Sequence, residues 1–179
     1  ETKNQEAASN LLLIRPLFYF RKMKISFWSV GKGHETFVKS GVEDFSNRIN
    51  KYFKLEWLII PAPRQAANMS EIELKLKEGE EILKKLNKDD FLVALDERGK
   101  TLHSEGLATF IQQRANESCR HLIFLIGGAY GLDKAVLTRA NYKWSLSPLV
   151  FPHQLVRLIL AEQVYRACTI LRNEKYHHS

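Results

Sequence analysis

The feature that most constrains the fold is a six-residue apolar run, HLIFLI, that stops abruptly at a cluster of glycines. The run covers residues 121–126, and the glycines are Gly127, Gly128 and Gly131. An unbroken apolar run of this length predicts a strand covered on both faces, as in the middle of a parallel sheet. Glycines after such a strand permit a sharp turn and let a ligand approach main-chain atoms directly. The motif alone leaves open whether the turn binds a ligand or only reverses the chain.

A second loop, from Ser147 to Pro152, favours the ligand interpretation. It follows a short strand predicted at residues 143–146 and contains two prolines, which fix two φ angles and remove two hydrogen-bond donors. A rigid, mostly apolar loop with a few backbone amides suits a flat aromatic ligand such as adenine. If this loop and the glycine turn end neighbouring strands, they form a slot.

A long helix is predicted from His153 to about Leu171, because Pro152 suits the first turn of a helix, where an N–H has no partner to lose. Its ten apolar residues cover more than one stripe, so the helix is expected to be covered on two sides. In a chain of 179 residues we favour a partner subunit as the second cover.

Upstream of this region, strand and helix patterns alternate. The predicted strands are residues 24–30, 55–60 and 91–95, and the predicted helices are residues 35–52, residues 70–86 and one that begins at Ser104. This alternation predicts a single α/β domain with a mainly parallel sheet flanked by helices and with ligands at the carboxyl ends of the strands. The charged helix at 70–86 is interpreted as a solvated face. Asp96, just past a strand, is interpreted as capping a turn rather than holding a ribose hydroxyl.

Charge and cysteine content set broad limits on function. The formal net charge is +7, which is compatible with a phosphate-backbone partner but does not by itself indicate one. Cys119 and Cys168 lack metal-ligand spacing, so we expect no metal site and buried thiols in a reducing, cytoplasmic compartment. Residues 1–22 contain an apolar part too short to span a bilayer. We therefore expect no membrane association and interpret this segment as an N-terminal extension outside the fold.

Several motifs, in order along the chain, resemble the ribosomal RNA large subunit methyltransferase H family. They read Ile126-Gly-Gly-x-x-Gly131, Ser145-Leu-Ser147, Phe151-Pro-His153-Gln-Leu-Val-Arg157, Glu162-Gln-x-Tyr165-Arg166 and Tyr176-His177-His178. The resemblance runs from Met23 to the end, which defines a domain at residues 23–179. It implies the smallest SPOUT-type methyltransferase, with a C-terminal trefoil knot, acting as a homodimer. It also implies S-adenosylmethionine as methyl donor and N3 of a pseudouridine in a 23S ribosomal RNA hairpin loop as acceptor.

The resemblance also implies which residues bind the donor. They are Leu95, Gly127, Leu146, Ser147, Pro148, Leu149, Val150 and Phe151. This loop departs from the usual family pattern at Pro148 and Val150, where an alanine or lysine and a threonine are common. If the threonine hydroxyl matters to the donor, that contact is lost here, whereas backbone contacts survive.

Methyl transfer to an imide nitrogen requires a group that accepts its proton, and the histidines are the candidates. His153 and the tail residues His177 and His178 have suitable pKa values near neutrality. The alternative for His153 is a hydrogen bond to its own loop, and the alternative for the tail is a frayed chain end.

Arg157 and Tyr176 complete the predicted catalytic set of His153, Arg157, Tyr176 and His177. Arg157, one helical turn after His153, is predicted to hold an anion or a phosphate, with an ion pair to Glu162 as the alternative. Tyr176 is the first candidate for stacking on an unpaired RNA base.

Other functions are weighed against this one. The same fold and donor could serve another RNA target, or the chain could be a catalytically silent ribosome-binding protein. An NAD-dependent oxidoreductase is disfavoured because the glycines follow the fourth predicted strand and no acidic residue follows about 20 residues downstream.

Overall fold

The described part of the chain, residues 23–176 of a computed structural model, is built on one sheet of five parallel strands. The strands are β1 (Lys24–Val30), β2 (Lys54–Ile60), β3 (Phe91–Thr101), β4 (His121–Ile126) and β5 (Tyr142–Ser145). Their order across the sheet is β2-β1-β4-β3-β5, and all four pairings are parallel. The predicted α/β fold with a mainly parallel sheet is therefore confirmed.

Helices cover both faces of the sheet, as parallel strands require. They are α1 (Thr36–Ile49), α2 (Glu71–Lys85), α3 (Ser104–Asn116), α4 (Lys134–Arg139) and α5 (His153–Leu171), with a short 3-10 turn at Ala66–Asn68. The core on one face contains α1, α3 and α5, and the core on the other face contains α2 and α4. The carboxyl edge of the sheet is therefore where the loops expected to bind a ligand lie.

Helix α5 begins and ends at the predicted residues, and its neighbours explain its wide apolar surface. It lies between α1 and α3 and contacts both of them. On α1, Gly41 leaves room for the Leu158 side chain, which an added Cβ would meet at 2.7 Å. Two helices of the same chain therefore provide much of the second cover that we expected from a partner subunit.

Strand β3 is longer than predicted. The apolar pattern ends at Leu95, but the strand resumes its pairing with β5 and ends at Thr101. Leu95 and Lys100 are both paired with Trp144, so the residues between them bulge out of the ladder. Gly99 makes this possible, since a Cβ there would lie 2.7 Å from the backbone of residues 143 and 144.

Helix α4 was not predicted from the sequence. It is only six residues long, too short for a periodic apolar pattern. A local signal was present, because the Asp133 side chain accepts a hydrogen bond from the Ala135 N–H at 2.7 Å and caps the helix.

A Ser-His-Asp arrangement at the opposite, amino-terminal edge of the sheet stabilises the fold. His121 bonds Ser26 Oγ through Nε2 at 2.7 Å and Asp90 Oδ1 through Nδ1 at 2.8 Å. Ser26 is 3% exposed, so its hydroxyl cannot meet a substrate carbonyl. The three side chains instead satisfy one another's hydrogen-bonding groups and so join the starts of β1, β3 and β4.

Some predictions concern residues beyond 23–176. The interpretation of residues 1–22 as an extension and the role of the tail from His177 lie outside the described residues. The knot stays a prediction from the family resemblance. Within residues 23–176, no helix is long and apolar enough to cross a bilayer, and no group of three or more His, Cys, Asp or Glu side chains is placed to hold a metal ion.

Candidate active site

A cleft lies at the carboxyl ends of β4 and β5, beside the bulge of β3. Its cavity volume is about 150 Å³, and its mouth is open to solvent. Its walls are Leu95, Asp96, Glu97, Ile126, Gly127, Gly128, Gly131, Trp144, Ser145, Leu146, Ser147, Leu149, Val150, Phe151, His153 and Val156. The two loops singled out in the sequence do form one slot, but β3 lies between their strands.

The glycine turn forms one wall through its backbone. The Gly131 N–H donates to the Gly128 carbonyl at 3.0 Å, and Gly131 has a φ of +82°, a conformation that suits glycine. At Gly127, a Cβ would lie 2.9 Å from the Gly131 carbonyl carbon. Position 127 therefore has no room for a side chain, and the main-chain atoms of Gly127, Gly128 and Gly131 line the cleft.

The loop after β5 forms the opposite wall and is held by its own hydrogen bonds. Ser145 Oγ donates to the Ser147 carbonyl at 3.0 Å, and Ser147 Oγ accepts from the Leu149 N–H at 2.9 Å. Leu149 and Val150 are exposed at the rim. Pro148 is the one predicted donor-binding residue that does not line the cleft.

The bulge of β3 contributes carboxylates that the sequence interpretation undervalued. Asp96 Oδ1 accepts from the Arg98 N–H at 2.8 Å, as expected of a turn cap, yet Asp96 and Glu97 also line the cleft beside the predicted Leu95. The signal that could have found them is their position just past the apolar part of the strand. Together they give an apolar slot an acidic side.

His153, the first residue of α5, lines the cleft as predicted. Burial lowers the pKa of its imidazole, and the positive charge of Arg157 lowers that pKa further. The imidazole is therefore neutral at physiological pH and can accept a proton.

Arg157 is 1% exposed and does not line the cleft. Its Nε donates to Ser29 Oγ at 2.9 Å and its Nη2 donates to the Lys32 carbonyl at 2.8 Å. The alternative ion pair with Glu162 is not formed, because Glu162 binds Arg166 Nε at 3.0 Å. The guanidinium thus joins the start of α5 to the loop after β1, and burial lowers its pKa.

Tyr176 lies against the second half of α5, away from the cleft. Its hydroxyl donates to Glu162 Oε1 at 3.2 Å, and its ring meets the Tyr165 ring edge-on with 4.8 Å between centroids. In one chain the structure brings His153 to the cleft but does not bring Arg157 or Tyr176 there. Their catalytic assignments stay predictions, and His177 lies outside the described residues.

The cleft fits a cationic nucleoside such as S-adenosylmethionine. Apolar side chains offer burial to adenine, the glycine turn offers backbone groups, and the carboxylates of Asp96 and Glu97 complement positive charge. Leu95, Gly127 and the predicted loop residues other than Pro148 are the groups that would hold it. SPOUT methyltransferases use this methyl donor.

Comparison with known proteins agrees with this geometry. The family model described as "Predicted SPOUT methyltransferase" matches residues 23–177. Ribosomal RNA large subunit methyltransferase H of Christiangramia forsetii is 44% identical over 156 residues, which cover 87% of this chain and 99% of the relative. The protein of the same name from Cytophaga hutchinsonii is 42% identical and is covered completely.

A solved structure agrees at the level of the fold. A probable methyltransferase from Bordetella pertussis Tohama I superposes with a TM-score of 0.51 at 13% identity, covering 85% of this chain and 99% of that chain. Sheet, cleft, sequence motifs and family match all agree, and the chain belongs to the SPOUT methyltransferase family.

Proposed function

We propose that this protein methylates large-subunit ribosomal RNA, at N3 of a pseudouridine in a hairpin loop of the 23S molecule. The observation that carries the proposal is the meeting of the glycine turn, the loop at 145–151 and His153 at one cleft. The ribosomal substrate is supported by the names of relatives that match over nearly their full length. The formal charge of +7 suits a polyanionic partner. Such a substrate places the protein in the cytoplasm.

The residues of the cleft supply position and proton transfer. S-adenosylmethionine, when bound, supplies an electrophilic methyl group on a sulfonium sulfur. The glycine turn and the loop after β5 would hold the donor between them at the cleft. Such orientation contributes roughly 7–11 kcal/mol to lowering a barrier. The neutral His153 imidazole would take the proton from N3, which leaves the nitrogen able to accept the methyl group that the donor would supply.

A pH profile tests the role of His153. Because burial and Arg157 lower its pKa, the base form persists below the ordinary histidine value of about 6.5. The midpoint of the acid limb of single-turnover methylation should therefore lie below pH 6.5. His153→Gln should lose about 10²-fold or more in rate and lose this acid limb.

The matched control for this profile is His103→Gln. His103 is an exposed histidine at the start of α3 that does not line the cleft. It should leave both the rate and the pH profile unchanged. Full activity of the His153→Gln enzyme would remove His153 from the mechanism.

We place a second subunit on the outer face of α5. Exposed Phe37, Leu149 and Val150 lie on elements that adjoin this face. In one chain Tyr176 bonds Glu162, nine residues and about 14 Å along the helix from His153. A two-fold axis that pairs the helices antiparallel brings Tyr176 of the partner subunit toward the cleft. The molar mass measured by light scattering should be twice the mass of one chain, 20.7 kDa. A measured mass equal to that of one chain would exclude this arrangement.

The experiment that tests the function combines binding with product identification. Calorimetry should show that the purified protein binds S-adenosylmethionine. Mass spectrometry of ribosomal RNA treated with protein and donor should show one methylated pseudouridine. Methylation elsewhere would indicate another RNA target, and absence of donor binding would indicate a catalytically silent ribosome-binding protein.

A further inference from the structure

One buried carboxylate close to the cleft has no part in the chemistry described so far. Glu78, on the inner face of α2, is 6% exposed. No residue in the range 23–176 forms a hydrogen bond or ion pair with its carboxylate, although the carboxylate oxygens are not among the fully buried unpaired polar atoms of that range. Burial nevertheless disfavours the charged form of this carboxyl, which distinguishes it from the exposed acids of the helix.

The Glu78 carboxyl lies directly against the glycine turn. An ideal Cβ on Gly128 would be 2.7 Å from Glu78 Oε1, so the carboxyl occupies the space that a side chain at 128 would need. Gly128 lines the cleft, whereas Glu78 does not. One glycine of main chain therefore separates the carboxyl from the ligand space.

The contact depends on the residue next to Glu78. At Gly79 a Cβ would lie 2.8 Å from Asp133 Cβ, at the cap of α4, so the missing side chain lets α2 come close to the segment that follows the turn. The sequence pair Glu78-Gly79 thus sets a carboxylate behind the glycine turn. The charge run of this helix was interpreted as a solvated face, and Glu78 is an acidic residue of the helix that lies outside that face.

We propose that Glu78 is a specificity-determining residue that makes the cleft prefer the cationic methyl donor over its neutral demethylated product. The proposal rests on donor binding at this cleft. A carboxylate behind one layer of backbone is attracted to a sulfonium cation and not to an uncharged thioether. Weak solvent screening strengthens this attraction, because both groups are partly shielded from water. The protein consequently exchanges product for donor more readily.

The preference should depend on pH in a defined direction. Burial raises the pKa of the Glu78 carboxyl, and no charged side chain among residues 23–176 adds to that shift. Asp133 on the adjoining α4 cap lies beside Gly79, and the cleft itself holds the carboxylates of Asp96 and Glu97, in the bulge of β3, and the imidazole of His153. As pH falls through the raised pKa, Glu78 becomes neutral and the preference for the cation weakens.

The test measures two affinities and takes their ratio. Calorimetry at pH 8 gives the Kd of S-adenosylmethionine and of S-adenosylhomocysteine, which differ in the charged methylsulfonium. For Glu78→Gln we expect the ratio of product Kd to donor Kd to fall by about five- to tenfold relative to wild type. A merely structural role would weaken both ligands equally and leave the ratio unchanged, which would overturn the proposal.

Two further measurements keep the result decisive. Glu80→Gln, an exposed neighbour on α2, should keep the wild-type ratio. If Glu78→Gln fails to fold, Glu78→Met, an apolar side chain of similar length, takes its place, and a folded variant with the wild-type ratio would refute the proposal. If neither ligand binds wild-type protein, the proposed function fails instead.

Discussion

Gly127→Ala should abolish tight binding of S-adenosylmethionine while leaving a folded protein. The added Cβ would lie 2.9 Å from the Gly131 carbonyl carbon and 3.0 Å from the Leu132 side chain, so the turn must open to accept it. The contact at 2.9 Å involves backbone, which cannot rotate away as a flexible side chain can. Since the turn forms a wall of the cleft, we expect the Kd to rise at least thirtyfold, or about 2 kcal/mol.

Calorimetry and a urea unfolding curve together check this expectation. Strain in the turn should cost about 1–3 kcal/mol of stability, which a domain of this size tolerates. The control is Gly106→Ala in α3, where the new Cβ meets Leu102 at an ordinary 3.7 Å and alanine favours the helix. That variant should bind the donor normally. A folded Gly127→Ala protein with wild-type affinity would show that the donor binds elsewhere.

The sequence predicts the elements whose signals are local. The strands at 24–30 and 121–126 and the helix at 153–171 begin and end as expected, because apolar runs and Pro152 mark them directly. The extension of β3 to Thr101 could not be predicted in this way. It depends on pairing with β5, some 40 residues later, and on a bulge that interrupts the apolar pattern.

The sequence likewise predicted the parts of the site that have local signals and missed a part that has none. The glycine turn and the loop at 146–151 were recognised from local motifs, and His153 joins them at the cleft. Glu78 was missed because a carboxylate in a charged helix has the composition of a solvated face. Glu78 is buried because Gly128 leaves space for its carboxyl and because Gly79 lets α2 approach the segment around Asp133. Helical periodicity does not show which charged residue of a helix faces a neighbouring loop.

Arg157→Met should give a stable protein that binds the donor but methylates poorly. Arg157 is buried and lies 128 positions after its hydrogen-bond partner Ser29. Among residues 23–176, no carboxylate is in hydrogen-bond contact with its guanidinium. The change removes a buried charge but leaves the Ser29 hydroxyl and the Lys32 carbonyl without their donor. We expect the free energy of unfolding to fall by about 1–3 kcal/mol, which leaves the domain folded, and the donor Kd to change by less than about threefold.

The loss should instead arise through His153. Without the Arg157 charge the pKa of His153 should rise, because one of the two effects that lower it is removed. The start of α5 also loses its bonds to Ser29 and Lys32, so the imidazole is less well placed. We expect methylation to fall tenfold or more, with the acid limb of the rate profile moved to higher pH. NMR titration of the His153 ring checks the pKa directly, and Arg172→Met, at an exposed arginine just beyond α5, is the control. An unchanged His153 pKa together with wild-type turnover would make Arg157 a purely structural residue.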